Sequence, residues 1–171
     1  MDDITKSALA EGTYVAYTDG SCKGNPGPGG AAYRLYAPDG SDPSEFSRKS
    51  KHTTNNKAEM QAVIDALKAT PVDAYVMICL DSEYIKNGLE DYLPKWVGNG
   101  WKTSKGKPVE NRDRWEMIKA LVDERLVTFR KIKAHSGDPD NNRVDQLAGE
   151  AANRAERAAK KHQQLHKDAS K

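Results

Sequence analysis

Four acidic residues of this chain stand where apolar segments end, a position in which a carboxylate can do chemistry. A carboxylate at such a place is partly removed from water, so it requires a cation or a hydrogen-bond donor nearby. Four of them brought together would repel one another unless a metal ion held them. Sets of oxygen ligands suit Mg²⁺ or Mn²⁺ rather than zinc. The candidate ligands are Asp19, Glu59, Asp81 and Asp145.

Each acid also has a purely structural interpretation. Asp19 can be a turn residue, and Glu59 can complete a capping box at the start of a helix. Asp81 can cap the helix that follows it, and Asp145 can be a favourable charge near a helix N-terminus. A site is favoured because all four acids occur together with a glycine- and proline-rich turn, residues 20–30, which another backbone or a ligand can approach closely.

A fifth candidate, His135, lies in a short loop before the helix that carries Asp145. A loop histidine is more often a surface residue than a catalyst. With a pKa near ~6.5, however, an imidazole on a glycine-flanked loop is suited to moving protons at a catalytic site. We therefore include His135 among the candidate catalytic residues.

The helices and strands that must position these residues can be predicted from the spacing of apolar residues, which changes along the chain. Three β-rich segments joined by short turns predict an antiparallel meander. The next segment has apolar residues at helical spacing, and the apolar run after it predicts a buried strand that is parallel to a neighbour. The predicted strands are 14–18, 31–36, 45–51, 75–80 and 126–133, and the predicted helices are 58–69, a short helix ending at 89, 115–121 and one that begins at 142.

Composition narrows the class of protein. The 171 residues are 37% hydrophobic and 30% charged, which predicts one globular domain with a substantial core. The sequence has no apolar run of membrane-spanning length, and its polar, acid-bearing start is unlike a signal peptide. Cys22 and Cys79 stand in unlike contexts and indicate neither a disulfide framework nor a metal-type spacing. These features predict a cytoplasmic protein that does not associate with membranes.

The ends of the chain differ from its middle. Residues 1–12 are predicted to form a flexible leader, residues 13–155 the domain, and residues 156–171 a basic tail that is frayed or disordered. The net charge of +2 does not by itself indicate nucleic-acid binding, so such binding must come from local patches. Residues 94–115 supply a patch, because they contain six Lys or Arg residues and all three tryptophans of the chain.

The amino-acid sequences of these segments, and their order along the chain, resemble type 1 ribonuclease H, of the bacterial ribonuclease HI kind, over residues 13–155. The resemblance is carried by YTDGSCKGNPGPGG at 17–30, TTNNKAEM at 53–60, Asp81-Ser82, GWKT at 100–103, KPVEN at 107–111, KAHSG at 133–137 and NNRVDQLA at 141–148. It implies an α/β fold with a mixed five-stranded sheet, three antiparallel strands plus two parallel ones, and helices on both faces.

The resemblance also implies an activity. An enzyme of this family hydrolyses the RNA strand of RNA/DNA hybrids and leaves 5′-phosphate and 3′-hydroxyl ends. Two Mg²⁺ ions, with Mn²⁺ as a possible substitute, would be held by Asp19, Glu59, Asp81 and Asp145. His135 would shuttle a proton or assist product release. The protein would act as a monomer with no obligatory protein partner.

By the same resemblance, a larger set of residues would contact the substrate. The turn backbone would contact the 2′-hydroxyls that only RNA offers, polar side chains would hold phosphates or minor-groove edges, and indoles and lysine would hold the DNA strand. Trp115, at the head of a helix, is better explained as core packing. The predicted substrate-binding residues are Gly20, Ser21, Cys22, Lys23, Gly24, Asn25, Thr54, Asn55, Asn56, Trp96, Trp101 and Lys102.

Two departures from the family's pattern qualify the prediction. Glu83 stands where bacterial members often have Gln, and Val97-Gly98-Asn99 replaces a segment that is often densely basic. Both changes predict weaker or more salt-sensitive binding of the hybrid. The alternative function is a hybrid- or duplex-binding module with little or no activity, although none of the four acids is missing. A phosphatase acting on small substrates is disfavoured by the basic, tryptophan-rich segment.

Overall fold

The apolar run 75–80 lies inside a five-stranded sheet, as its composition predicts. A computed structural model of the protein describes residues 1–170. The strands lie in the order β3-β2-β1-β4-β5; β1, β2 and β3 are antiparallel, and β1, β4 and β5 are parallel. Their bounds are β1 Tyr14–Cys22, β2 Gly27–Tyr36, β3 Ser44–Thr53, β4 Tyr75–Leu80 and β5 Leu126–Lys131. The predicted mixed sheet is confirmed.

Six α-helices and one π-helical segment, Gly88–Tyr92, complete the described chain. Successive side chains of a strand point to opposite faces of its sheet, and β1 shows the consequence. Ala16 belongs to one apolar cluster with the helix that follows β3, whereas Val15 and Tyr17 belong to a second cluster with Val144 of the last helix. The helices are α1 Asp3–Ala10, α2 Asn55–Lys68, α3 Glu83–Asn87, α4 Leu93–Gly98, α5 Arg112–Asp123 and α6 Pro139–Ala169.

The first hairpin is longer than predicted. The antiparallel pairing continues through the glycines from Asp19↔Ala32 to Cys22↔Gly29, so β1 does not end at residue 18 and Asp19 lies within the strand. Glycines in β2 also allow α6 to lie close to the sheet. A Cβ atom on Gly30 would lie 2.4 Å from the carbonyl oxygen of Ala148.

The start of α2 also differs from the prediction. The N-cap is Thr54, whose side chain accepts a hydrogen bond from the Lys57 amide, so α2 begins at Asn55 rather than at residue 58. Thr54, Asn55 and Asn56 can each cap a helix, so the sequence alone does not determine at which of them the helix begins. With Thr54 as the cap, Glu59 is no longer the third helical residue, and the capping-box interpretation of Glu59 is wrong.

Both ends of the chain are helical where flexibility was expected. α1 is capped by Asp2, whose carboxylate also pairs with Arg130 at 2.5 Å. The buried hydroxyl of Thr5 lies 2.7 Å from the hydroxyl of Tyr17, which attaches α1 to the sheet. At the other end α6 continues to Ala169 because the segment after residue 155 is rich in good helix formers.

The strands β3, β4 and β5, the helix α5 and the start of α6 agree with the sequence to within three residues, whereas α4 and the π-helical segment were not predicted. Trp115 is fully buried in the core, as predicted. Ser82 caps α3 by accepting a hydrogen bond from the Ile85 amide. Cys22 and Cys79 are both free thiols. Among the described residues, no helix is both long and apolar enough to cross a bilayer.

Candidate active site

Glycine at position 20 brings the first two acids together. A Cβ atom on Gly20 would lie 2.4 Å from the backbone nitrogen of Glu59 and 2.5 Å from the carbonyl carbon of Ala58. Real Cβ atoms do not approach a backbone so closely, so only glycine lets the first turns of α2 pack against β1. This contact places Glu59 beside Asp19, and the Gly20 amide donates a 2.9 Å hydrogen bond to Asp19 Oδ1.

The parallel pairing of β1 and β4 places the third acid, Asp81, beside the first. Tyr17 pairs with Cys79, so Asp19 and Asp81 each follow two residues later, just beyond the point where the parallel pairing of β1 and β4 ends. Asp19, Glu59 and Asp81 each offer a carboxylate oxygen, and these oxygens all lie within 4.8 Å of one another. Three of the four predicted ligands therefore converge.

The electrostatics of this cluster favour a bound cation. Burial raises the pKa of Asp19 to about 7, and repulsion by Asp81 and Asp145 adds to the effect, while hydrogen bonding to Glu59 and Gly20 opposes it. Burial and repulsion by Asp19 also raise the pKa of Glu59. The pKa of Asp81 is raised by burial first and by Asp145 next. Ionising all three carboxylates together is unfavourable unless positive charge is supplied.

The donor atoms present fit a divalent metal ion. Glu59 Oε2 is buried without a hydrogen-bond partner among the residues that the structure describes, although buried acceptors nearly always have one. An ion between the carboxylates would satisfy it. The ligands are all oxygens, which suits Mg²⁺ or Mn²⁺.

The other two predicted catalytic residues are exposed. Asp145 lies outside the three-carboxylate cluster, yet it is near enough for its charge to raise the pKa values of Asp19 and Asp81. His135 lies in the loop between β5 and α6 with a positive φ of 54°. Their catalytic roles stay predictions.

Several predicted substrate residues surround one polar cavity of about 620 Å³ beside the N-terminus of α2. The Asn25 side chain accepts a 2.9 Å hydrogen bond from the Asn55 amide, which joins the glycine-rich turn to this helix. Gly20, Ser21 and Cys22 end β1, Lys23 and Gly24 follow in the turn, and the Cys22 thiol donates to the Thr53 carbonyl. The cavity is lined by Asn25, Thr54, Asn55, Asn56, Lys57, Glu110 and Asn111.

The predicted DNA-binding segment forms a protrusion built from α4 and the loop before α5. Trp96 and Trp101 are half-buried and pack on the core, with ring centroids 6.5 Å apart, and Lys102 is exposed. Tyr92, which the sequence analysis did not single out, is 49% exposed and stacks on Trp96 at 5.7 Å. Tyr92 could have been found from the sequence, because it precedes Trp96 by four residues and side chains at that spacing are neighbours on a helix.

Two further residues border the carboxylates. The Lys131 ammonium donates a 2.7 Å hydrogen bond to the Asp81 carbonyl and lies 3.6 Å from a carboxylate oxygen of Glu83. Asn141 is buried, and hydrogen bonding from its side chain lowers the pKa of Asp81. Neither could be found from local sequence, because Lys131 reaches Asp81 only through the parallel pairing of β4 and β5.

Together, the fold and the cluster define a class of α/β proteins whose site is a set of convergent carboxylates suited to divalent ions. The model of the RNase H family matches residues 11–153. Ribonuclease HI of Neisseria meningitidis serogroup B is 43% identical over 140 residues, which cover 82% of this chain and 95% of that protein.

Solved structures give the same result. LC9-RNase H1, a type 1 RNase H with the type 2 active-site motif, is similar with a TM-score of 0.73 and 29% identity over 82% of this chain and 72% of that one. LC11-RNase H1, solved in complex with an RNA/DNA hybrid, has a TM-score of 0.62 and 27% identity over 83% and 98%.

The chain belongs to the ribonuclease H family, and the predicted resemblance to its bacterial type 1 members is confirmed. It is therefore a hydrolase of phosphodiester bonds of the ribonuclease H type.

Proposed function

We propose that this protein is an endonuclease that hydrolyses the RNA strand of RNA/DNA hybrids, leaving 5′-phosphate and 3′-hydroxyl ends, with Mg²⁺ as its cofactor. The observation that carries the proposal is the convergence of Asp19, Glu59 and Asp81 within 4.8 Å in a chain of the ribonuclease H family. The hybrid bound to the similar LC11-RNase H1 supports the choice of substrate.

The convergent carboxylates would supply the oxygen ligands that such a reaction uses. Asp19, Glu59 and Asp81, together with the nearby exposed Asp145, would hold two divalent ions, for which Mn²⁺ can substitute. When bound, these ions supply Lewis acidity and neutralise charge at the scissile phosphate. The Gly20 amide donates a hydrogen bond to Asp19, which orients this ligand before the substrate arrives. His135, on its exposed loop, would carry a proton to or from the site.

Recognition of the RNA strand would depend on the turn after β1. The backbone of residues 20–24 would contact 2′-hydroxyls, which DNA lacks. The polar cavity beside α2, with Asn25, Thr54, Asn55 and Asn56 in its lining, would hold backbone phosphate. On the protrusion, Trp96, Trp101 and Lys102 would hold the DNA strand by stacking and by charge.

The direct test is cleavage of an end-labelled hybrid. Wild-type protein with Mg²⁺ should cut the RNA strand and leave the DNA strand intact, whereas addition of EDTA or the substitution Asp81→Asn should abolish cutting. DNA duplex and RNA duplex of the same sequence serve as controls. Tight binding of the hybrid by wild-type protein without cleavage would overturn the proposal and favour the binding-module alternative.

The remaining parts of the proposal concern the protein's state in the cell. We expect a cytoplasmic monomer that needs no protein partner. Light scattering at enzyme concentrations used in the assay, together with fractionation of cells, would check these expectations. Activity that appears only at concentrations where a dimer forms would contradict them.

A further inference from the structure

The C-terminal extension, residues 156–169, is a helix without a protein surface to cover. It continues α6 beyond Ala155, the last buried residue of that helix. Nearly every one of its residues is exposed. It contains four basic residues and two acidic ones, namely Arg157, Lys160, Lys161, Lys167, Glu156 and Asp168.

The extension projects past the end of the sheet that carries the catalytic carboxylates. Near its start α6 lies beside Tyr36, which pairs with Val15 of β1 and donates a 2.6 Å hydrogen bond to Asp140. Further along, α6 lies against Gly30, which pairs with Ser21. The helix therefore advances in the direction of β1. Asp145, in its second turn, already lies near the carboxylates, and the extension begins about 15 Å further along the helix axis. Its continuation projects beyond the glycine-rich turn.

The positive charges of the extension lie on its solvent-facing side. At 3.6 residues per turn, Arg157, Lys160 and Lys161 fall within an arc of roughly 100°, opposite the side on which Ala155 is buried. Lys160 is 3.7 Å from Glu156. Arg157 and Lys161 are in no ion pair within residues 1–170. A helix with this pattern offers its charge to a partner rather than to the rest of the fold.

We propose that the C-terminal extension binds the phosphate backbone of the nucleic acid that flanks the hybrid segment held at the carboxylates. This inference rests on the proposed function, because it takes the duplex to lie across Asp19, Glu59 and Asp81. The 14 residues span about 21 Å at 1.5 Å per residue. With phosphates spaced about 3.4 Å apart along each strand, that length corresponds to about six nucleotides.

The negative charge of a nucleic acid is the reason that we propose it as the partner of the C-terminal extension. A nucleic-acid backbone is a dense line of negative charge, and each cation that contacts it adds to affinity by releasing a condensed counterion. The basic face is free, is helical, and projects at the substrate end of the sheet. It would supplement the protrusion, in which Val97-Gly98-Asn99 carries no positive charge.

The test compares a double variant, R157Q/K161Q, on a short and a long hybrid. A hybrid of about 8 base pairs covers the carboxylates and leaves little duplex beyond them, whereas one of about 24 base pairs reaches the extension. The matched control is K6Q/K68Q, which removes two exposed lysines from α1 and the end of α2. Thermal unfolding of each variant verifies that its fold is unchanged.

On the long hybrid, R157Q/K161Q should raise KM about fivefold or more at low salt and reduce the slope of log affinity against log salt by between one and two. Its kcat should be unchanged, its kinetics on the short hybrid should match the wild type, and K6Q/K68Q should behave like the wild type on both. Equal effects on both lengths, no effect on either, or the same effect from the control would overturn the inference.

These outcomes separate the inference from the proposed function. If wild-type protein fails to cut either hybrid, the proposed function has failed. If it cuts both and the variants show no dependence on length, only the inference has failed. Binding of the wild type, but not of R157Q/K161Q, to vesicles of anionic lipid without any length dependence on hybrids would assign the extension to a membrane surface and would also overturn the inference.

Discussion

The substitution Asp19→Asn should stabilise the metal-free protein at neutral and alkaline pH. Asn has nearly the shape of Asp, and its carboxamide oxygen can still accept the hydrogen bond from the Gly20 amide. It removes one of three convergent charges from a position that is 4% exposed. We therefore expect a gain in stability together with a loss of activity.

The size of the effect follows from the pKa of Asp19. Burial raises it from 3.8 to about 7, which corresponds to about 4 kcal/mol at 1.36 kcal/mol for each pH unit. Because the folded-state pKa lies above the unfolded-state value, this stability is fully present below pH 3.8 and is lost as the pH rises through about 7. Between pH 5 and pH 8 the metal-free wild type should lose about 2–3 kcal/mol from this residue.

Urea unfolding in EDTA at pH 5 and pH 8 measures the effect. The advantage of Asp19→Asn over the wild type should be larger at pH 8 by about 2–3 kcal/mol, and Mg²⁺ should stabilise the wild type but not the variant. Asp42→Asn, which removes an exposed charge, serves as the control. If Asp19→Asn unfolds at lower urea than the wild type at both pH values, the reasoning is refuted.

Three further predictions follow from single contacts. Gly20→Ala should destabilise the fold by about 1–3 kcal/mol and lower kcat, because its Cβ would meet the Glu59 backbone at 2.4 Å. The control Gly98→Ala, whose Cβ would have no atom within 4 Å, should change neither quantity. Urea unfolding and steady-state kinetics of both variants measure the two effects. Asp2→Asn should cost about 1 kcal/mol at pH 7, allowing for solvent screening, and only a small part of that at pH 2. The arginine partner lowers the Asp2 pKa to about 2, and the stability is lost as the pH falls through that value. An equal loss at both pH values would count against the ion pair. Lys131→Met should raise KM for the hybrid up to about fivefold, because it leaves the charge of Glu83 without its lysine partner. The double variant Lys131→Met/Glu83→Gln should have a KM close to that of the wild type. Additive effects of the two substitutions on KM would contradict this coupling.

The central strand and the acids were predictable because their signals are local. Residues 75–80 are apolar without interruption, which indicates a strand buried between neighbours. The acids stand at the ends of such segments, and their identification also drew on the resemblance of whole motifs to a family. That Asp19 and Asp81 are neighbours is then a consequence of parallel pairing between β1 and β4.

Other features depend on contacts between distant segments. Nothing near Gly20 in the sequence shows that α2 will press against it, and nothing near Lys131 shows that it will reach the Asp81 carbonyl. The flexible leader was expected from composition, but Thr5 is buried against Tyr17 in the structure. The tail was judged by its charge, although its alanines favour a helix.

The central claim, that Asp19, Glu59 and Asp81 jointly hold the metal that the nuclease uses, is tested most directly by a crystal soaked in Mn²⁺. An anomalous difference map should show a peak within about 2–2.5 Å of carboxylate oxygens from these residues, and Asp81→Asn should weaken or remove it. A map in which the three side chains face bulk solvent, with no peak between them at saturating Mn²⁺, would contradict the account.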